Sequence, residues 1–186
     1  MATQLKVYPG MIDRNYEFFS SPDALRVINN GSIMNFNEIP MPLYQRIKEL
    51  IDKSPEAKEI LNEWFPDSEI KRLEKFAECR FGGLDFEPDI TPETTQFGEY
   101  WDCPLRGVCK GEGKVCLPLT YNNHPLDATE IKVLRLMATD LTNDVISSQL
   151  DIALGSLHKI KKILYQKLNI LTKQEAALIA RELNLI

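Results

Sequence analysis

Four cysteines, Cys79, Cys103, Cys109 and Cys116, fall within 38 of the 186 residues and are the densest concentration of reactive side chains in the chain. An intracellular compartment keeps thiols reduced, so a disulfide framework is not expected. Four thiolates converging from one helix end and a glycine-rich loop can instead hold a metal tetrahedrally. The segment WDCPLRGVCKGEGKVC suits that role, because its glycines permit tight backbone turns and Arg106, Lys110 and Lys114 would offset the charge of the thiolates. The cysteines are separated by 23, 5 and 6 residues, without a C-x2-C knuckle, so spacing does not name the metal. A zinc ion is the leading expectation. An iron-sulfur cluster is the alternative, since such clusters are also held by four thiolates at varied intervals. The metal-free reading makes Cys79 a small core residue and the other three incidental loop thiols.

Other chemistry has little support. The stretch LDFEPDITPETTQFGEYWD is rich in carboxylates but shows no histidine and no paired-carboxylate spacing. It reads as a solvated acidic loop that packs Phe86, Phe97, Tyr100 and Trp101. The sequence has no glycine-rich phosphate loop and no histidine metalloenzyme motif, and its only histidines are His124, expected in a loop beside Pro125, and His158. Catalysis is not expected.

These residues need a scaffold, and composition bounds what it can be. With 44% hydrophobic and 26% charged residues the chain is ordinary globular protein, which excludes gross disorder, collagen and a coiled-coil rod. No run approaches the roughly 20 consecutive apolar residues of a membrane-spanning helix, and MATQLKVYPG lacks the pattern of a signal peptide. A soluble cytoplasmic protein with no membrane partner is expected. The net charge of -5 argues against non-specific coating of nucleic acid, but it is unevenly spread. Residues 1–125 carry 14 Lys+Arg against 20 Asp+Glu, whereas residues 126–186 carry 8 against 7. Glycines and prolines from Gly82 to Pro125 leave no room for a long helix. Two different modules are expected, residues 1–120 and 121–186, in a mainly α fold without internal repeats.

In the first module, residues 1–37 mix the short apolar runs LKVY, YEFF and LRVI with the turn signal Asn29-Asn30-Gly31, enough for one or two short strands or a hairpin. Leu43, Ile47, Leu50 and Ile51 recur at helical spacing. Ser54 followed by Pro55 predicts a second helix capped by that serine. Asp67 or Ser68 can cap a third, with Ile70, Leu73 and Phe76 as its apolar stripe, leading into Cys79. The cysteine-bearing irregular loop follows.

From Leu126 onward the periodicity is cleaner. Leu134, Met137, Ala138 and Leu141 mark one helix. Thr142 or Asn143 caps a short second helix with Val145, Ile146 and Leu150 on its core side. A turn over Asp151 to Ala153 leads into a third helix that sends Leu157, Ile160, Leu164 and Leu168 inward and His158, Lys159, Lys162 and Gln166 outward. A fourth opens near Thr172, with Glu175 as its capping-box partner and Ala176, Ile179, Ala180 and Leu183 on one stripe. Four short helices with a tight turn between the second and third describe a helix-turn-helix.

The stretch LDATEIKVLRLMATDLTNDVISSQLDIALGSLHKIKKILYQKLNILTKQEAA resembles the LuxR-type (GerE-like) helix-turn-helix, in register and without a gap, over the last third of the chain. Leu126, Glu130, Val133, Leu134, Thr142, Asn143, Ile146, Leu150, Lys167, Leu168, Glu175 and Ala176 are among the matching positions. The resemblance implies a four-helix DNA-binding domain whose third helix enters the major groove and whose fourth often makes a dimer contact. It assigns Thr142 and Asn143 to a phosphate at the second helix's start, and Ser156 to another phosphate. It places His158, Lys159 and Lys162 where the family reads bases, and makes Lys167 a candidate for the DNA backbone. The chain departs from the family at Thr129, Asp140, Ala153, His158 and Ile160, where an arginine, a glycine, a capping serine, a lysine and a histidine are usual. Lys161 falls at a usually apolar position and must snorkel or lie at the domain edge.

The expectation is therefore a sequence-specific, double-stranded DNA-binding transcriptional regulator, forming a homodimer. Its thiolate-metal-bearing first module would sense, dimerise or dock a protein partner. The alternative is an interaction or assembly module whose helix-turn-helix no longer binds DNA.

Overall fold

Asn30 and Gly31 adopt positive φ values of 49° and 77°, the backbone that a two-residue hairpin turn requires. They join β2 (Leu25–Asn29) to β3 (Ser32–Asn35), and β1 (Glu17–Ser20) pairs antiparallel along the other side of β2. The computed structural model describes residues 6–183, 185 and 186, so the apolar run beginning at Leu5 lies partly outside the described residues. The sequence predicts no more than a hairpin here. A third strand, β1, joins the hairpin because it buries Phe18 and Glu17 completely against the helices and the loop that follow.

Three helices complete the scaffold: α1 (Met41–Asp52), α2 (Pro55–Trp64) and α3 (Glu69–Phe81). Leu43, Ile47, Leu50 and Ile51 are buried as their spacing predicts. Phe18, Phe36, Phe76 and Phe81 fill the centre, with the Phe18 ring 5.8 Å from Phe81 and 6.3 Å from Phe36. Ser68 caps α3 by accepting a hydrogen bond from the Lys71 amide. Ser54 occupies the N-cap position of α2 but its buried hydroxyl makes no bond. There the proline at Pro55 supplies the helical φ instead. Ile70 is 44% exposed, and the buried side of α3 runs instead through Leu73, Phe76, Ala77, Cys79, Arg80 and Phe81.

Between Gly82 and Pro118 no helix or strand forms. Irregular segments this long are uncommon in compact domains and usually serve a function. Two buried polar groups fasten it. The Arg80 side chain, 2% exposed, donates to the carbonyls of Val115 (2.6 Å), Phe97 (3.2 Å) and Lys114 (3.3 Å). Asp89, 1% exposed, accepts from the Phe18 amide at 2.8 Å. Tyr16 and Ile90 exchange backbone hydrogen bonds beside it.

The acidic loop is not simply solvated. Glu17 accepts from the Asp85 amide and Glu99 from the Gly83 amide, both at 2.9 Å. Burial pushes Glu17 up to about 8 and Glu99 up to about 9, and it drives Asp89 well above the usual carboxylate range, with Glu17 and Glu99 adding to the effect on Asp89. Backbone amides receive these inward carboxyls and favour their charged form, while burial favours the protonated form and is the larger effect. Phe86 and Phe97 remain exposed, Phe86 stacked on Tyr8 and Phe97 beneath the Arg80 guanidinium.

The chain divides into two units, the second spanning Pro118–Ile186. It opens with a hairpin of β4 (Leu119–Tyr121) and β5 (His124–Leu126), turned by Asn122 and Asn123 at φ 48° and 64°. His124 therefore sits on a strand rather than in a loop. The small sheets modify the mainly α expectation in both units. Then come α4 (Ala128–Met137), α5 (Asn143–Gln149), α6 (Leu154–Leu168) and α7 (Lys173–Glu182). Leu134, Met137, Ile146, Leu157 and Leu164 are fully buried. Val145 is 41% exposed, and Ser147 takes the inward place beside Ile146. Among the described residues, no helix is long and apolar enough to cross a membrane.

The inward carboxyls make the first unit's stability depend on pH. Glu17, Asp89 and Glu99 each have a folded pKa above the unfolded value. Their contribution is complete below the unfolded pKa and disappears as pH rises through about 8 and about 9. Both tryptophans, Trp64 and Trp101, lie in this unit, so tryptophan fluorescence follows its unfolding. The thermal midpoint is expected to fall from about pH 5 to about pH 9, and Glu17→Gln is expected to flatten that fall. A midpoint that rises over the same interval contradicts the inward placement.

Candidate nucleic-acid interface and thiol site

Asp151, at φ 52°, reverses the chain between α5 and α6, and the Ile152 amide reaches back to the Ser147 carbonyl at 3.0 Å. This tight connection fixes the direction of α6, a helix of 15 residues and so about 22 Å long. Leu157, Leu164 and Leu168 form its buried stripe, while Ile160 is half-buried. The positions 100° per residue away from that stripe, Gly155, Ser156, His158, Lys159, Lys162 and Gln166, are all exposed. A Cβ placed on Gly155 would meet nothing within 4 Å, so the face is open at its N-terminal end. Among the described residues, Lys159, Lys162 and His158 form no ion pair. Beside this face, His158, Lys162, Gln166 and Asn169 line an open groove of about 730 Å³.

Other residues named from the sequence are engaged within the unit. Thr142 caps α5, its hydroxyl accepting from the Val145 amide at 3.5 Å. The Asn143 side chain accepts from Lys161 at 2.8 Å. Lys161 also lies over the Tyr165 ring, and its pKa is lowered, first by burial and then by Lys173. It sits at the edge of the core, as an extended amphipathic side chain can. Lys167 is turned inward: its ammonium donates to Glu130 at 2.7 Å and to the Pro125 carbonyl at 3.0 Å. Glu130, 4% exposed, is also the capping-box partner of Asp127 at the start of α4. The Asp127-x-x-Glu130 spacing carries that signal in the sequence. Thr172 and Glu175 form the corresponding box for α7. Ala153 begins α6 without a side-chain cap.

In the first unit, Cys79 on α3 and Cys103, Cys109 and Cys116 on the irregular segment all line one small cavity. All four are free thiols. Burial pushes Cys79 up to about 12 against the opposing pull of Lys75. The Gly111 amide points at the Cys109 sulfur at 3.4 Å. Among the described residues, no three histidine, cysteine or carboxylate side chains are placed to hold one metal ion. Of the three cations expected beside the thiols, only Arg106 lines the cavity, and Lys75 joins it. Lys110 pairs with Glu63 and Lys114 is exposed. Arg106 donates to the carbonyls of Trp101 and Leu117 and stacks on Tyr100 at 4.5 Å. Arg80 follows Cys79 in the chain and bonds to the residue before Cys116.

Residues 124–180 match the family model described as bacterial regulatory proteins, luxR family (GerE). The C-terminal third of the chain is thus a luxR-family domain. No curated protein and no solved structure matches the chain.

The inward position of Lys167 sets a direct test. Lys167→Met leaves the buried Glu130 carboxylate without its cation and is expected to destabilise the second unit by about 1–3 kcal/mol. Chemical denaturation followed by circular dichroism measures this. Unchanged stability, together with an equal loss of affinity for every DNA sequence, would assign the lysine to phosphate contact instead.

Proposed function

We propose that the protein is a sequence-specific, double-stranded DNA-binding transcriptional regulator whose first unit is a thiolate-metal module for sensing or dimerisation. The luxR-family domain supports DNA-binding regulation at the family level. The exposed face of α6 carries the finer reading. Lys159, Lys162 and His158 stand on the side opposite the buried leucines, beside an open Gly155 and the Ser156 hydroxyl. A helix of this width fits the major groove, where lysine reads the acceptor atoms of guanine and a hydroxyl serves either a base or a phosphate.

In this reading Lys162, Lys159 and His158 address base edges, and Ser156 contacts the DNA backbone. The homodimer contact falls on α7 and the loop before it, where Leu178 is 66% and Leu171 is 89% exposed. Apolar side chains left in water at one edge of a small domain favour a second copy as their cover.

Selection of binding sites from random duplexes by the purified protein, followed by a salt titration on the selected site, tests the proposal. Affinity is expected to fall steeply with salt, with a log-log slope of about 0.9 per neutralised phosphate. Lys162→Ala is expected to cost about 1–3 kcal/mol and to relax base preference at one position. Absence of a selected sequence, with no salt-dependent binding to any duplex, overturns the proposal and leaves a docking module in its place.

A further inference from the structure

The geometry points to an iron-sulfur cluster, rather than a single zinc ion, as the group held by Cys79, Cys103, Cys109 and Cys116. This rests on the thiolate-metal reading of the first unit and names the group. All four cysteines face one cavity, although Cys79 belongs to α3 and the other three to the irregular segment. A tetrahedral zinc site needs its sulfurs about 2.3 Å from the metal, and therefore within about 4 Å of one another. Here the cysteines surround a shared space, yet no three of the described candidate ligands are placed for one ion. That spread suits a polynuclear centre, which brings its own sulfides and distributes its protein thiolates over several irons.

The walls of the cavity supply what such a centre needs. Trp101 lines it, and its indole N–H is buried without a hydrogen-bond partner. Buried donors are nearly always satisfied in folded proteins, and a cluster sulfide or a ligating thiolate is an acceptor for this one. The indole is held closely, since a Cβ on Gly82 would lie 2.6 Å from its Cε2 atom. The Gly111 amide adds a second donor toward sulfur, at Cys109.

Charge agrees with this assignment. Four thiolates around iron and sulfide leave the centre net negative, and a buried anion needs compensation. Arg80 and Arg106 direct their N–H groups at main-chain carbonyls, which are neutral and leave the guanidinium charges uncancelled. One follows Cys79 in sequence and the other lines the cavity. Arg106 thus lies at the cavity wall, and Arg80 lies within electrostatic reach of Cys79 and Cys116.

The test uses the full-length protein, produced in iron-replete cells and purified without oxygen. Iron, zinc and acid-labile sulfide are quantified together with the visible absorption spectrum. The expected result is a coloured protein with equal amounts of iron and labile sulfide and little zinc. Cys103→Ser and Cys109→Ser, at two half-buried loop positions, are expected to lose both iron and sulfide while keeping the helical circular dichroism. Trp101→Phe is expected to keep the cluster and lower its reduction potential, because a hydrogen bond to sulfur is lost. An unchanged potential overturns the role given to Trp101. One zinc per chain without labile sulfide overturns the cluster and leaves the metal module standing. Failure to bind either metal, even after anaerobic incubation with ferrous iron and sulfide, overturns both.

Discussion

A charged group that leaves water must find partners within the protein, and this constraint decides how the first unit is built. The segment from Gly82 to Pro118 has neither helix nor strand to satisfy its backbone. Arg80 reaches into it from α3 and gathers carbonyls from its middle, at Phe97, and from near its end, at Lys114 and Val115. The same guanidinium is packed between the rings of Phe76 and Phe97. The three cysteines of the segment are carried to Cys79 by this fastening. Asp89 and Glu17 do similar work near β1, where burial raises both carboxyls above the usual carboxylate range. One cation and a group of buried carboxyls thus supplement the few apolar residues, Ile90 and Val115 among them, that this segment places in the core.

The second unit obeys the same constraint, with a different result on each side of α6. Lys167 and Glu130 meet inside the domain, so that the charges tie the end of α6 to the capped start of α4. Lys159 and Lys162 stay in water and form no ion pair among the described residues. Folding makes no use of these charges, which leaves them available to a ligand. Because the leucine stripe fixes the rotation of α6, the cations share one face. In the proposed function, the lysines that the core has not claimed are the ones that address DNA.

How much of this was legible in the sequence depended on whether the signal was local. The helices of the second unit were readable because Leu157, Leu164 and Leu168 repeat at helical spacing and Thr172 and Glu175 announce a cap. The inward turn of Lys167 was not, since it depends on Glu130, a residue 37 positions away that meets it only in the folded unit. The same holds for Arg80 and Asp89, whose charged side chains read as surface residues until the irregular segment closes over them. Val145 misled because a helix of seven residues has room for only one inward face. Pairing of β1 with the hairpin is not readable, because its burial comes from contacts with α3 and the loop rather than from its own alternation. The clustering of the cysteines was visible in the sequence, but their convergence on one cavity required the fold.

The central claim is that the solvent-facing side of α6 is the surface that meets DNA. Amide chemical-shift mapping of the isotopically labelled full chain, titrated with a duplex that it binds, addresses this most directly. Shifts are expected to concentrate from Gly155 to Gln166 on the exposed positions of α6. Shifts that leave Ser156, His158, Lys159 and Lys162 untouched while another surface responds would contradict that claim.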